Sequence, residues 1–443
     1  MAVSAEALLL PLCVDLDRAL VRSDVQLEST LQLLKRNALY VFLMVLWFFR
    51  YGKAGLKSRI AARVSLRAAV LPYNQELLAW LKAERARGRS LWLCTDADEK
   101  LVGPIAQHLG IFEGCIASDA RGNVVPPKPE RLVERFGAGG FEYCGSEWRS
   151  RGDWLRPLIR ALRPHQWTKN VLVLVPLLAA HQMGDLEALA NALLGTVAFC
   201  LCASSVYVLN DMLDLEADRA HPRKSKRPFA AGSLALTTGF WLVPTLLGAA
   251  ALIAAFLPQK FQLALGAYYV LTASYSFALK KMLLIDAVAL AGLYTLRVIA
   301  GAGAATVALS FWLLLFSVFL FLSLAFVKRY AELDSLRRQQ RLQAVGRGYH
   351  VEDLSVLQSL GTAAGYLSVL VLALYINSPD IQPLYHHPKV IWTLCVLMLY
   401  WISRVWMTAH RGKMHDDPVV YALKDRVSLM LGLLAAVAVA IAV

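Results

Sequence analysis

Apolar and polar positions alternate on two length scales along the chain. Up to about residue 156 the apolar runs are short. Leu8–Val14, Ser90–Cys94, Cys115–Ala117 and Phe141–Cys144 read as strands, and Gln75–Ala86, Lys100–Leu109 and Pro129–Phe136 carry helical patterns. Strands alternating with helices predict an α/β domain around a parallel sheet, with Pro11 an awkward residue for the first strand. One early run differs. Tyr40–Tyr51 (YVFLMVLWFFRY) is strongly apolar and is bracketed by Lys35, Arg36, Arg50 and Lys53. About 12 residues cannot cross a hydrocarbon layer of about 30 Å. The run reads as a helix in a cap inserted over about residues 24–72, either resting on a membrane surface or buried as a core helix.

From Pro157 the runs lengthen, and about nine of them reach the roughly 17–25 residues of a membrane span. They lie near 169–186, 191–211, 236–257, 261–279, 283–304, 308–328, 357–377, 389–409 and 425–443. The prediction is a soluble domain at 1–156 followed by an all-α polytopic membrane domain at 157–443. The loops on one side carry Lys280 and Lys281, then Lys328, Arg329, Arg337, Arg338, Arg341 and Arg347, then Arg404, Arg411, Lys413, Lys424 and Arg426. The opposite loops offer Lys260 and Lys389. The positive-inside rule then places the N-terminal domain and the polar loops on the cytoplasmic side of a bacterial inner (plasma) membrane.

Composition supports that picture. Of 443 residues 57% are hydrophobic, and the net charge of +14 sits mostly in loops between apolar runs, which speaks for membrane topology and against nucleic acid. The seven cysteines show neither zinc spacing nor a disulfide framework. Asp15, Asp17 and Arg18 interrupt the first apolar stretch and argue against a cleaved signal peptide.

The chemistry concentrates in Tyr207–Leu234 (YVLNDMLDLEADRAHPRKSKRPFAAGSL), where an apolar run turns abruptly polar. Asp211, Asp214 and Asp218 stand at i, i+3 and i+7, within about 60° of one another on a helix. Asn210 flanks that face and Glu216 points away. Like charges on one stripe call for a cation, and hard oxygen ligands without His or Cys suit magnesium (Mg2+) completed by phosphate oxygens. Arg219, Arg223, Lys224, Lys226 and Arg227 follow at once and suit phosphate binding.

Asn210-Asp211-x-x-Asp214-x-x-x-Asp218 at a membrane helix end resembles the first aspartate-rich motif of the UbiA superfamily of intramembrane prenyltransferases. Within it, RPHQWTKN (Arg163–Asn170), DRAHPRKSKRPFAAG, FVKRYAEL (Phe326–Leu333) and HDDPVVYALKDR (His415–Arg426) resemble the decaprenyl-phosphate phosphoribosyltransferases. Where typical members carry a second Asp-x-x-x-Asp, this chain reads Lys328-Arg329-Tyr330-Ala331-Glu332, basic first. The resemblance implies Mg2+-dependent transfer of phosphoribose from 5-phosphoribosyl 1-diphosphate (PRPP) to a polyprenyl phosphate, for synthesis of an envelope pentose donor. Asp211, Asp214 and Asp218 would hold the metal, with Asn210 and Glu332 beside the reaction. Gln166, Lys169, Asn170, Arg219, Lys224, Arg227, Lys328 and Arg329 would bind substrate, and Tyr275 and Lys280 sit at a further helix junction of that side. Asp416, Asp417 and Asp425 approach the same face as ligands or as helix caps. Homo-oligomerisation is left open. The rivals are an aromatic prenyltransferase of quinone or haem synthesis using a prenyl diphosphate, and a non-enzymatic transporter or lipid-binding membrane protein.

Residues 8–156 resemble the haloacid dehalogenase (HAD) phosphatases. VDLDRAL (Val14–Leu20) matches the opening Asp-x-Asp, which would make Asp15 nucleophile and Asp17 acid/base, with Thr95 and Lys128 following in order. The fourth motif, normally Gly-Asp-x-x-x-Asp, reads Gly145-Ser146-Glu147-Trp148-Arg149-Ser150, and Ala19 replaces the usual Thr. The lost carboxylates imply a weakened or inactive phosphatase. If active, it would remove the 5-phosphate of the neighbouring product.

Overall fold

Four short strands form one parallel sheet in the computed structural model, which describes residues 10–118, 128–145, 154–340, 347–378, 385–414 and 417–442. The strands are β1 (Leu12–Asp15), β2 (Leu91–Asp98), β3 (Gly114–Ser118) and β4 (Glu142–Cys144), in the order β3-β2-β1-β4. Cys13 of β1 pairs with Trp92 on one side and Tyr143 on the other. The first strand begins at Leu12 because Pro11 has no N–H to give the ladder, and only its carbonyl joins, accepting from Glu142 N at 3.0 Å. Helices α1 (Val25–Arg36), α2 (Tyr40–Ala61), α3 (Gln75–Ala86), α4 (Glu99–Leu109) and α5 (Lys128–Phe136) complete this part. The side chains of Asn74 and Asp98 cap α3 and α4. Leu77, Leu81, Leu101, Val102 and Ile105 bury themselves with Leu12, Val14, Leu91 and Leu93 of the sheet.

Beyond the sheet the chain is helical: α6 (Leu155–Leu162), a 3-10 stretch Pro164–Leu174, α7 (Val175–Ala179), α8 (Leu186–Leu213), α9 (Leu215–Arg219), α10 (Leu236–Ala255), α11 (Gln259–Phe277), α12 (Ile285–Ala304), α13 (Phe311–Arg338), α14 (Leu354–Ile376), α15 (Pro388–His410), α16 (Pro418–Ala422) and α17 (Arg426–Ala442). Among the described residues six helices are long and apolar enough to cross a membrane: α8, α10, α12, α13, α14 with the turn before it, and α15. The expected nine are not reached. The run at 169–186 is no membrane-length helix but the end of the 3-10 stretch and the five-residue α7, which His181 closes with a φ of 54°. Gln259, Lys260, Gln262, Thr272, Ser274 and Ser276 dilute α11. At 17 residues α17 is about 25 Å long, short of the hydrocarbon thickness.

Two compact units result. One comprises Met1–Arg163 with Tyr207–Thr245, the other Pro164–Val206 with Leu246–Val443. In the first, Ala161, Val208, Met212, Leu215 and Phe229 form a small apolar core with Leu27 and Leu31 of α1. In the second, α12, α13, α14 and α15 share a core of Tyr294, Phe321, Leu324, Leu357, Ile402 and Trp406. Gly301 of α12 lies against the carbonyl of Val173, where any Cβ would collide with backbone. That close approach seats the 3-10 stretch, and with it Lys169 and Asn170, on α12.

Candidate active site

The helix α8 stops at Leu213. Asp214 takes φ −100° and ψ 16° between α8 and α9, so the three aspartates do not share the straight helix that their spacing suggested. Asp211 and Asp218 are buried and meet at Arg227, whose Nη1 donates to Asp211 Oδ1 at 3.1 Å and to Asp218 Oδ2 at 2.6 Å. Asp211 also accepts from Arg163. Asp214 is instead partly exposed and pairs with Lys35 at 2.8 Å. Glu216 is held by Gln32 and Arg67. Arg219 gives both terminal nitrogens to Glu28, at 2.9 and 2.5 Å, and its Nε to the carbonyl of Ala230. Its guanidinium thus fastens the loop. Lys224 is exposed and Asn210 half-buried at the end of α8.

Spacing gave no hint of Arg163, which lies 48 residues from its partner. It ends α6 in the left-handed region at φ 53°, a conformation that costs a non-glycine residue about 1 kcal/mol or more and marks functional places. Burial pushes the Asp218 carboxyl up, and the Arg227 guanidinium only partly offsets it.

Asp211 Oδ2 is buried and has no hydrogen-bond partner among the described residues. Leaving such an acceptor unmet costs about 1–3 kcal/mol, so the pair is open to a cation. Among the described residues no group of three His, Cys, Asp or Glu side chains converges. Magnesium, however, is commonly held by one or two carboxylates while water and phosphate oxygens complete its shell. Asp211 and Asp218 fit that role, while Asp214 Oδ1 pairs with Lys35.

The second unit holds two further ionic clusters. In the first, Arg329 and Arg347 face Asp286 and Glu332. Arg329 Nε lies 2.9 Å from Asp286 Oδ2, and Arg347 reaches Asp286 at 3.3 Å and Glu332 at 3.0 Å. Arg329 also pairs with Glu332, and the Tyr349 hydroxyl donates to Asp286. Tyr275 accepts at 3.4 Å from both arginines. Charges balance here, and both Asp286 oxygens are engaged. In the second cluster Asp417 accepts from Lys169, lies 3.5 Å from Lys328 Nζ, and caps α16 through the N–H groups of Val419 and Val420. Burial works against its charge, but Lys328, Lys169 and the donated hydrogen bonds hold the carboxyl well below the usual range. Among the described residues two ammonium groups face this one carboxylate. Asn170 accepts from Arg297 Nε at 2.9 Å. Gln166 and Lys280 are half-buried, and His415 and Asp416 lie outside the described residues.

At the carboxyl edge of the sheet Asp15 accepts from Lys128 at 2.9 Å and from the Tyr143 hydroxyl at 2.8 Å. Asp17 accepts from Thr95 Oγ1 at 2.7 Å and Val25 N at 3.0 Å. Burial raises its pKa to about 6, against the pull of those hydrogen bonds. Of the fourth motif only Gly145 is described; Ser146–Ser150, with Glu147, lie outside the described residues.

An uncharacterized protein y4nM of Sinorhizobium fredii is 32% identical, over 96% of this chain and 90% of its own length. The nodulation protein NoeC of Azorhizobium caulinodans is 37% identical over 61% of this chain and 88% of its own. A decaprenyl-phosphate phosphoribosyltransferase of Mycolicibacterium smegmatis is 40% identical over 41% of this chain and 58% of its own. The UbiA prenyltransferase family matches residues 171–428, which contain all six membrane-length helices found among the described residues. With those helices the chain is an integral membrane protein, and it belongs to the UbiA prenyltransferase family.

Proposed function

We propose that the protein transfers 5-phosphoribose from PRPP to a polyprenyl phosphate, releasing diphosphate, with Mg2+ as cofactor. The observation that carries this reading is the pair Lys169 and Lys328 brought together on Asp417, in a chain whose second acidic motif is replaced by carboxylates paired with arginine. Such a pair suits an anionic phosphate acceptor. The 40% identity to a protein named decaprenyl-phosphate phosphoribosyltransferase supports the same class.

A phosphate oxygen of the lipid attacks the anomeric carbon as its bond to the diphosphate oxygen breaks. The lipid phosphate is already ionised at neutral pH, so no general base is needed. Lys169 and Lys328 screen its charge and orient it, and Asp417 fixes both lysines. Asp211 and Asp218 would hold the metal, whose charge would offset that building on the departing diphosphate. Arg227 and Lys224 steady the phosphates of the donor. Arg329 and Glu332 keep the end of α13 in place.

The reading extends to the N-terminal part, as a HAD-like domain over about residues 8–156 whose phosphatase action is weak or lost. Lys128, Tyr143 and the Asp17 N–H donate to Asp15, so both oxygens of the would-be nucleophile are hydrogen-bonded. Both the domain and the polar loops are assigned to the cytoplasmic side of a bacterial plasma membrane.

The test uses the full chain in detergent, with ribose-labelled PRPP and decaprenyl phosphate. Label should enter the organic phase with Mg2+ and not with chelator. Transfer from a prenyl diphosphate to an aromatic acid, with none from PRPP, would overturn the reading.

A further inference from the structure

The sequence leaves the apolar run Tyr40–Tyr51 two readings, a buried helix or a surface one. The structure gives α2 two faces. Tyr40, Met44 and Trp47 pack against Leu33 and Ile60. The opposite side is uncovered: Leu39 is 64% exposed, Phe42 71%, Val45 53%, Leu46 55% and Phe49 82%. Positions 42, 45, 46 and 49 follow the i, i+3, i+4, i+7 spacing of one helical stripe. An uncovered stripe of large apolar side chains marks an interaction site.

Its charge surroundings select the occupant. Between Glu28 and Glu76 the chain has eight Lys or Arg and no Asp or Glu. Arg36, Arg50 and Lys53, at the two ends of the stripe, are exposed. At Gly52 the backbone turns to φ 65° and ψ −172°, interrupting the helix, so the apolar part measures about 18 Å and cannot span a bilayer. A short apolar stripe rimmed by cations is the pattern of a helix lying in the headgroup layer of an anionic membrane.

We propose that the first half of α2 is an interfacial anchor, with Phe42, Val45, Leu46 and Phe49 inserted among lipid chains and Arg36, Arg50 and Lys53 on anionic headgroups. It provides the N-terminal part with its own hold on the membrane, independent of the transfer reaction.

The test uses the full chain in nanodiscs of phosphatidylcholine and phosphatidylglycerol, with Cys115, the one cysteine not fully buried, changed to serine. Nitroxide labels are placed at Phe49→Cys and, as an aqueous control on α3, at Lys82→Cys. The label at 49 should collide several-fold more with oxygen, relative to a water-soluble nickel chelate, than the label at 82. Pure phosphatidylcholine discs, or Arg36, Arg50 and Lys53 changed to glutamine, should reduce that contrast. Nickel access at 49 equal to that at 82 would overturn the proposal. So would shielding of 49 from both reagents, which would indicate a second copy of the chain on the stripe.

Discussion

The acidic end of α8 and the arginine-rich end of α13 hold the same formal charges, two carboxylates and two guanidinium groups, yet they are finished differently. Around Asp286 every carboxylate oxygen has a partner, from Arg329, Arg347 or Tyr349. Around Asp211 one buried oxygen has none among the described residues. The unmet atom around Asp286 is a donor, Arg329 Nε, which lies 2.9 Å from Asp286 Oδ2 without a hydrogen bond, so no carboxylate oxygen is left over for a cation. A cluster with an unmet acceptor carries a cost that a bound cation relieves. Equal charge counts thus conceal opposite roles, and the difference lies in hydrogen-bond accounting.

The sharpest way to break this comparison is to neutralise one carboxylate in each cluster. Asp211→Asn should lower phosphoribosyl transfer per folded molecule by about 10³-fold or more, since it removes charge that acts on the leaving group, and should also lower Tm, because Arg163 and Arg227 lose a buried partner. Asp286→Asn should separate the two effects. It leaves buried Arg329 and partly buried Arg347 short of a partner and should cost about 3 kcal/mol of stability, read as a lower Tm with transfer per folded molecule largely kept.

The sheet-edge pair adds a pH test. Asp17 has a pKa of about 6 in the folded chain, above the roughly 3.9 of an unfolded one. The folded state therefore holds its proton more tightly, and stability is full below about pH 4 and falls as pH rises through about 6, by roughly 2–3 kcal/mol in all. Asp17→Asn should flatten that slope in denaturant titrations of the N-terminal tryptophan signal. The smallest effect is expected at the lysine pair. Lys169→Gln should raise KM for the lipid phosphate about tenfold and leave KM for PRPP nearly unchanged.

The parallel sheet and its helices were legible because period-2 and period-3.6 patterns differ within a few residues, and α3 runs over Gln75–Ala86 as its pattern predicts. Span count was less legible. Hydropathy alone cannot tell the 3-10 stretch Pro164–Leu174, pressed on Gly301, from a straight helix. The acidic motif was legible as composition but not as geometry, because a helical wheel assumes continuity and Asp214 interrupts it. Arg163, Tyr143 and Arg347 were hidden as partners for another reason. Their contacts bridge 48, 128 and 61 residues of sequence, and no local pattern encodes such a distance.

The most direct measurement of the difference between the two clusters is cation binding itself. Mn2+ can stand in for Mg2+ and be titrated by electron paramagnetic resonance into detergent-solubilised protein with PRPP present. Tight binding is predicted for the native chain and for Asp286→Asn, with loss in Asp211→Asn and Asp218→Asn. Unchanged binding in the Asp211 variant, or loss in the Asp286 variant alone, would contradict the account.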